Sequence, residues 1–293
     1  MLPGSANISM YSSMSMRKIF ISYADENMRY SLKRIGQQAK KTGIFDEIIL
    51  YTPDIIPPYI KESPLMAYRR GGGYWAWKPA IIWETLQKQD EGDIVVYVDA
   101  GCSLRKSEKW EEYWNLLSDT HHTIVFQFKD EMPEWKRWGQ TSTQIRHWTK
   151  RSTFRYFEEM LGDYGDYNKI MGGFMICKGK NNSFIKHWLD ITLLHPELVI
   201  DPSDNELEEQ LSFFAYHKHD QSIITPLAHL YAREVLILTE SAETEPENAA
   251  VTASRIRAKT QPDYIKLRLK YYTRKLLGDK LFDSIKHQLV KKK

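Results

Sequence analysis

The chain has 293 residues, of which 42% are hydrophobic and 27% charged, a balance typical of a globular protein that excludes extensive disorder. Its two cysteines, Cys102 and Cys177, are too few for a disulfide framework, which favours a reducing compartment. The formal net charge of +3 combines +8 in residues 264–293 with −5 in the rest; this excess of positive charge confined to one end is not typical of a nucleic-acid-binding protein.

Alternating strands and helices are predicted along most of the chain, because short β-branched runs alternate with amphipathic segments. Gly43 is the expected end of the first helix, and Pro79 fits the first turn of the second. The predicted strands are 17–23, 46–51, 92–101, 122–128, 171–178 and 234–239. The predicted helices are 28–42, 79–89, 110–118, 133–162, 182–194, 205–216, 219–231 and 262–293, the last interrupted near Gly278, and residues 240–250 are predicted to be an acidic loop.

Such alternation is typical of an α/β fold with a mostly parallel central sheet flanked by helices. In these sheets ligands bind beyond the carboxyl ends of the strands. Ser22–Asp25 and Asp99–Ser103 follow predicted strands, so the sequence predicts a ligand site that includes them.

Asp99, in the segment YVDAG, is the first candidate for chemistry. A carboxylate at a strand end can hold Mg²⁺ or Mn²⁺ against a diphosphate, because both ions prefer oxygen ligands. An aspartate that only caps the following turn is an equally good interpretation of Asp99 alone.

The segment RRGGGYWAWKP, residues 69–79, is the second candidate. Its three glycines allow the backbone to approach a ligand closely. Arg69, Arg70 and Lys78 could meet a diphosphate or an acidic acceptor. Tyr74, Trp75 and Trp77 could stack on a base or a sugar, although a glycine-rich turn with its aromatic rings in the core is the alternative.

Two further segments carry candidate residues. His219, Asp220 and Gln221 precede a predicted helix, where Asp220 could take a proton from an acceptor hydroxyl or could simply cap the helix. Gly172 and Gly173 open a predicted strand and could leave room for a sugar, or could form a bulge.

Taken together, GGGYWAWKPAII, GDIVVYVDAG, GGFMICK and HDQSI resemble, in order and spacing, the GT-A-type glycosyltransferases of bacterial capsular-polysaccharide and O-antigen (lipopolysaccharide) biosynthesis. The similarity covers about residues 17–230. It implies a single Rossmann-like GT-A domain that transfers a sugar from a nucleotide-sugar donor, such as UDP-galactose, to a hydroxyl of a lipid-linked or growing polysaccharide.

The resemblance also implies roles for individual residues. Asp99, Ala100 and Gly101 match the DxD segment that contacts the donor phosphates or a metal, but the second acid of that motif is Gly101 here. Metal dependence on Mn²⁺ or Mg²⁺ is therefore doubtful: His219 could be the second ligand, or Lys78 and arginines could neutralise the diphosphate instead. The other implied roles are donor binding by Ser22 and Tyr23, sugar or acceptor contacts by Gly172, Gly173 and Gln221, and general base for Asp220 if the reaction inverts the anomeric centre.

Three domains are expected: a leader at 1–16, a catalytic domain at 17–261 and a basic amphipathic helical tail at 262–293. Because no signal peptide or long apolar run is found, a cytoplasmic protein is expected. The basic tail would bind the anionic inner face of the inner membrane, where a lipid-linked acceptor lies, or would pack on the domain. Two other functions remain open: a sugar nucleotidyltransferase, and a catalytically silent nucleotide-sugar or glycan-binding protein.

Overall fold

The computed structural model describes residues 16–128, 143–239, 249–278, 281 and 283. Within these ranges the strands are β1 (Lys18–Tyr23), β2 (Glu47–Tyr51), β3 (Ile94–Val98), β4 (Ser103–Leu104), β5 (Thr123–Gln127), β6 (Ile170–Lys178), β7 (Val235–Leu238) and β8 (Val251–Thr252). The α-helices are α1 (Arg29–Thr42), α2 (Pro58–Lys61), α3 (Gly71–Tyr74), α4 (Trp77–Lys88), α5 (Lys109–Leu116), α6 (Arg151–Leu161), α7 (Ser183–Leu194), α8 (Asp204–Glu208), α9 (Asp220–Leu230) and α10 (Gln261–Leu277).

Six of these strands form one central sheet in the order β2-β1-β3-β6-β5-β7. Three of its five pairings are parallel, and the two antiparallel ones both involve β6. The predicted α/β architecture with a mostly parallel sheet flanked by helices is therefore confirmed. Strands β4 and β8 form a separate two-stranded sheet, which the sequence analysis did not predict.

The sheet separates two layers of core, because successive side chains of a strand point to opposite faces. In β1, Ile19 and Ile21 pack with residues of α4, α7 and α9, whereas Phe20 between them packs with residues of α1 and α5. Both faces of the central strands are buried, which accounts for their nearly continuous apolar sequences.

The strand order places a switch point between β1 and β3. From β1 the chain crosses to β2 on one side and then returns to β3 on the other, so the carboxyl ends of β1 and β3 border a crevice. Strand β6 runs in the opposite direction beside β3, with Phe174 opposite Val98. The start of β6 therefore lies at the same edge of the sheet as the end of β3.

Two predicted helices are wrong in part. Of the helical region predicted at 133–162, residues 133–142 lie outside the described part of the chain. From residue 143 on, the α-helix begins only at Arg151, after a 3-10 turn at Ile145–Trp148. The helix predicted at 205–216 is limited to α8. Beyond α8 the backbone instead bonds to the segment before α6, as the amide of Lys218 donates to the carbonyl of Trp148 (2.9 Å).

The tail helix α10 ends at Leu277, directly before Gly278, so the predicted interruption lies where the sequence placed it. Of the predicted acidic loop the structure describes only residues 249 and 250, and of the predicted leader only residue 16. Among the described helices, none combines the length and the apolar character that crossing a bilayer requires. Cys102 and Cys177 are both buried as thiols, and within the described residues they form no disulfide.

Candidate active site

Lys78 is a buried cation at the centre of the candidate site. It lies in the first turn of α4, and its side chain is 2% exposed. Its ammonium Nζ lies 2.7 Å from Asp220 Oδ2, 3.3 Å from Asp99 Oδ1 and 2.9 Å from the carbonyl oxygen of Gly172. Burial by itself lowers the pKa of Lys78, but the charges of Asp220 and Asp99 outweigh it and raise the pKa. The charged lysine thus joins two carboxylates from distant parts of the chain.

Asp99 is the more accessible of the two carboxylates. Its side chain is 37% exposed, against 9% for Asp220. It follows β3 directly, and its backbone amide donates to the carbonyl of Gly173 (2.9 Å). The hydroxyl of Tyr97 donates a short hydrogen bond to Asp99 Oδ1. Burial, reinforced by the charge of Asp99, raises the pKa of Tyr97, so this hydroxyl remains protonated and holds the carboxylate in place.

Asp220 lies at the N-terminal end of α9. Its Oδ1 accepts a hydrogen bond from the backbone amide of Gln221 (2.9 Å), and its negative charge is favoured by the helix dipole. His219, the residue before it, has a left-handed φ of 48°, which is costly for a residue with a side chain. The side-chain oxygen of Gln221, the residue after Asp220, is buried and has no hydrogen-bond partner among the described residues.

The glycines at the start of β6 make room for the carboxylates. A Cβ at Gly172 would lie 2.4 Å from Asp220 Oδ2, and a Cβ at Gly173 would lie 3.0 Å from Asp99 Oδ2. Real Cβ atoms do not approach other atoms as closely as 2.4 Å, so Gly172 is required by the position of Asp220. Both glycines were predicted as candidates for sugar contact, and the structure places them against the two acids.

Arg34 of α1 donates hydrogen bonds to backbone carbonyls of the loop that follows Asp99. The buried guanidinium Nη2 of Arg34 donates to the carbonyl of Ala100 (3.0 Å) and, at short distance, to that of Cys102. Burial lowers the pKa of Arg34. Arg34 was not predicted as a site residue, because within α1 its sequence context is that of any basic residue in an amphipathic helix.

Several predicted ligand contacts instead pack in the core. Ser22 is fully buried and donates to the carbonyl of Val98 (2.6 Å). The rings of Tyr23 and Trp77 stack on each other, with centroids 3.9 Å apart. Burial, and then the charge of Asp25, raises the pKa of Tyr23 to about 12. Both rings belong to the buried apolar core, which is the position that the alternative interpretation of residues 69–79 gave to Trp77.

Tyr74 and Trp75 belong to a strained turn. Both have a left-handed φ, as do Gly71, Gly72 and Gly73 before them. The hydroxyl of Tyr74 donates to Asp201 (3.0 Å), and its ring is buried. Trp75 is only partly buried, so of the predicted aromatic contacts it is the one that retains an exposed surface.

The predicted second metal ligand, His219, makes its contacts away from Asp99. His219 Nδ1 bonds to the carbonyl of Val199 (2.8 Å), and His219 Nε2 lies 3.6 Å from Asp201 rather than beside Asp99. Burial lowers the pKa of His219. In the described part of the chain no three His, Cys, Asp or Glu side chains lie close enough to hold a metal ion. The cation that the structure does place between the two acids is the ammonium of Lys78.

No protein-family model matches the chain, and no curated protein matches it in sequence. Solved structures with a similar fold include mouse xyloside xylosyltransferase 1 (12% identity over 76% of this chain and 84% of that chain, TM-score 0.41). A second is a glycosyltransferase involved in the glycosylation of the major capsid of PBCV-1 (9% identity, 86% and 99%, TM-score 0.44). A third is the galactosyltransferase LgtC in complex with donor and acceptor sugar analogs (12% identity, 81% and 84%, TM-score 0.35).

Proposed function

We propose that this chain is a glycosyltransferase that moves a sugar from a nucleoside-diphosphate donor to a hydroxyl group of a glycan acceptor. The observation that carries the proposal is the meeting of Lys78, Asp99 and Asp220 at the carboxyl edge of the sheet, next to the β1–β3 switch point. Three charged groups from separate segments, two of them buried, have a desolvation cost that a purely structural cluster rarely bears.

The reaction makes two electrostatic demands that such a site can meet. The sugar passes through an oxocarbenium-like state, whose positive charge a nearby carboxylate stabilises. Asp99 is the accessible carboxylate, held in orientation by Tyr97 and Lys78. The leaving nucleoside diphosphate develops negative charge, which positively charged groups have to stabilise.

Asp220 has two candidate roles, which depend on the stereochemistry. If the anomeric centre is inverted, a base has to remove the proton of the acceptor hydroxyl, and Asp220 is the predicted base. If the configuration is retained, Asp220 instead binds the transferred sugar. Its low exposure and its bonds to Lys78 and to the Gln221 amide favour the second role.

We expect the donor site to work without a divalent cation, because the ammonium of Lys78 lies between Asp99 and Asp220. Donor binding is therefore expected to persist in EDTA. The matched measurement is donor binding in 1 mM Mn²⁺ and in EDTA, each against the same buffer blank; a donor that binds only with Mn²⁺ would restore the prediction of a metal site at Asp99.

A thermal-shift screen of UDP-, GDP-, CMP- and dTDP-sugars tests the proposed function. A donor at 100 times its Kd stabilises the native state by about 2.7 kcal/mol, which raises the Tm of a domain of this size by roughly 5–11 °C. The donor identified should then be cleaved with release of the nucleoside diphosphate, and Asp99→Asn should abolish cleavage while keeping the Tm. Conversion of the donor and added pyrophosphate into a nucleoside triphosphate and a sugar 1-phosphate would indicate a nucleotidyltransferase. Binding without cleavage would indicate a silent binding protein, and no shift with any donor would refute the proposal.

The acceptor is proposed to be lipid-linked and to be reached at the cytoplasmic face of an anionic membrane through α10. No residue of this helix is buried, and its start contacts the body through Tyr264, whose ring lies 5.6 Å from that of Tyr30. Apolar side chains such as Leu269 and Leu276 are therefore exposed alongside lysines and arginines. A helix of this composition suits the surface of an anionic bilayer.

Co-sedimentation with vesicles tests the membrane role. The full chain should bind vesicles that contain 30% phosphatidylglycerol and not vesicles of phosphatidylcholine alone, with binding weakened by salt. A chain that ends at residue 260 should lose this binding and keep its donor-induced thermal shift. Equal binding of both chains to anionic vesicles would refute the membrane role and leave the proposed reaction untouched.

A further inference from the structure

Trp75 is an aromatic residue at the border of the cluster formed by Lys78 and the two acids. Its ring centroid lies 6.0 Å from Nζ of Lys78, the ammonium that contacts both Asp99 and Asp220. The ring also stacks on that of His219, with centroids 5.5 Å apart. The indole is partly exposed, and its Nε1 makes no hydrogen bond within the described part of the chain. Trp75 thus presents an apolar surface and an N–H donor next to the two acids.

The turn around Trp75 holds the indole in one orientation. A Cβ at Gly71 would lie 2.5 Å from two ring carbons of Trp75, so only glycine leaves room for the ring there. Trp75 itself has a left-handed φ of 60°, and Tyr74 before it has one of 52°, a conformation that is costly for such bulky residues. Strain of this kind tends to be retained where it positions a functional group. The wall that the indole forms is therefore present before any ligand binds.

An ion pair between Arg70 and Asp201 lies next to the same histidine. Asp201 Oδ1 is 3.6 Å from His219 Nε2, and Asp201 Oδ2 accepts from the hydroxyl of Tyr74 (3.0 Å). Arg70 contacts Asp201 only through Nη1, at 3.1 and 3.2 Å, so its Nε and Nη2 have no partner among the described residues. The two side chains are 47% and 36% exposed. Donors of a guanidinium and acceptors of a carboxylate are therefore open to solvent side by side.

This combination of groups matches the chemistry of a sugar ring. A hydroxyl both donates and accepts hydrogen bonds, so neighbouring hydroxyls of a pyranose fit a carboxylate beside a guanidinium. The C–H groups of the ring suit the apolar surface of an indole. Because Arg70 and Asp201 together carry no net charge, an acidic sugar attracted by the first would be repelled by the second.

We infer that Trp75, Arg70 and Asp201 form the acceptor subsite and select a glycan whose terminal residue is an uncharged pyranose. The inference rests on the proposed function and deepens it, since it assigns the part of the site that receives the acceptor. The donor nucleotide is expected in the β1–β3 crevice. Trp75 and Asp201 instead lie beside His219, at the start of α9, so an acceptor bound there reaches the two acids without crossing the nucleotide.

Transfer to simple methyl glycosides tests the inference, with the donor that the thermal-shift screen identifies. The acceptors are the methyl pyranosides of glucose, galactose, mannose and N-acetylglucosamine, and that of glucuronic acid as the charged counterpart. At least one uncharged glycoside should be preferred to the glucuronide. Trp75→Ala and Asp201→Asn should each raise its KM by about 10-fold or more, because each removes contacts to the sugar, while the Kd of the donor stays within about 2-fold.

Glu47→Gln is the matched control for the ion pair. Glu47 pairs with Arg17 at a similar exposure, 40% and 46%, but lies at the start of β2 and hence at the opposite edge of the sheet. This variant should keep the KM of the glycoside within about 2-fold.

Selectivity for charge gives a readout that a merely structural role would not change. Asp201→Asn gives the Arg70 pair a net positive charge, so kcat/KM for the glucuronide relative to the uncharged glycoside should rise by about 3-fold or more, and Arg70→Gln should lower the same ratio. Unchanged KM and ratio in these variants, a native preference for the glucuronide, or donor cleavage without transfer to any uncharged glycoside would overturn the inference and leave the proposed function standing. If no donor is bound or cleaved, the proposed function falls together with the inference.

Discussion

Replacing Lys78 by methionine removes the buried ammonium at the centre of the site and keeps most of the side-chain volume. The change leaves Asp220, with a side chain 9% exposed, without its ionic partner. Breaking a buried ion pair in this way costs about 3–5 kcal/mol. The N-terminal end of α9 and the amide of Gln221 still favour the carboxylate of Asp220, by up to ~1 kcal/mol, so the lower part of that range is expected.

For a domain of this size a loss of about 3 kcal/mol lowers the Tm by roughly 6–12 °C. The measurement is thermal and urea unfolding followed by circular dichroism. Lys88→Met is the matched control, because Lys88 belongs to the same helix, is 63% exposed and pairs with Glu84 one turn away. Such a surface pair contributes only about 0.3–0.5 kcal/mol.

A double variant shows whether the cost comes from the charge left behind. Lys78→Met combined with Asp220→Asn removes both buried charges, so it should be more stable than Lys78→Met alone, with a coupling energy of about 1 kcal/mol or more. If Lys78→Met is no more costly than Lys88→Met, or if the two changes are simply additive, the ion pair is not what stabilises this part of the fold.

Three other predictions concern the fold and the site. Gly172→Ala should displace the Asp220 side chain and abolish donor cleavage, whereas Gly92→Ala, where a Cβ meets nothing within 4 Å, should leave cleavage and Tm nearly unchanged; full cleavage by Gly172→Ala would contradict the geometry. Asp99→Asn should retain nucleoside diphosphate binding within about 3-fold while losing cleavage, as measured by calorimetry and product release, because it keeps the shape and removes the charge that an oxocarbenium-like state needs. Burial lowers the pKa of His229 to about 4, so the unfolded chain takes up the proton first and stability should fall from about pH 6.5 down towards pH 4. Because the ring is partly exposed, the loss attributable to His229 is on the order of 2 kcal/mol, and His229→Phe should reduce the fall of Tm with acid relative to the native chain.

Local sequence patterns were enough to predict the framework of the site. Strands such as β1 and β3 are short apolar runs that end in polar residues, and parallel strands bring their carboxyl ends to one edge. This positional rule led to Asp99. Lys78 and Asp220 were candidates as well, although the ion pairs that join them to each other and to Asp99 follow only from the tertiary structure.

Other features could not be predicted, for identifiable physical reasons. The sequence does not distinguish an aromatic side chain that stacks on a ligand from one that stacks on another ring. The contact between Tyr23 and Trp77 was therefore not predicted. The helix predicted beyond Glu208 is replaced by backbone hydrogen bonds to Trp148, about 70 residues earlier, which no local window includes. The bond between Ile256 and Gly101 joins even more distant segments.

Because β6 runs in the direction opposite to β3, two separate parts of the chain border the cleft at Asp99, and each could change in length without the other. Loops that leave β1 and β3 surround Asp99, whereas residues that lead into β6, before Ile170, arrive at the same edge from the other side. Insertions before β6 would thus reshape one wall of the cleft while leaving the turn after β3 untouched. Relatives of this chain that share the Asp99 loop but differ in length between residues 143 and 169 should recognise different acceptors with the same donor.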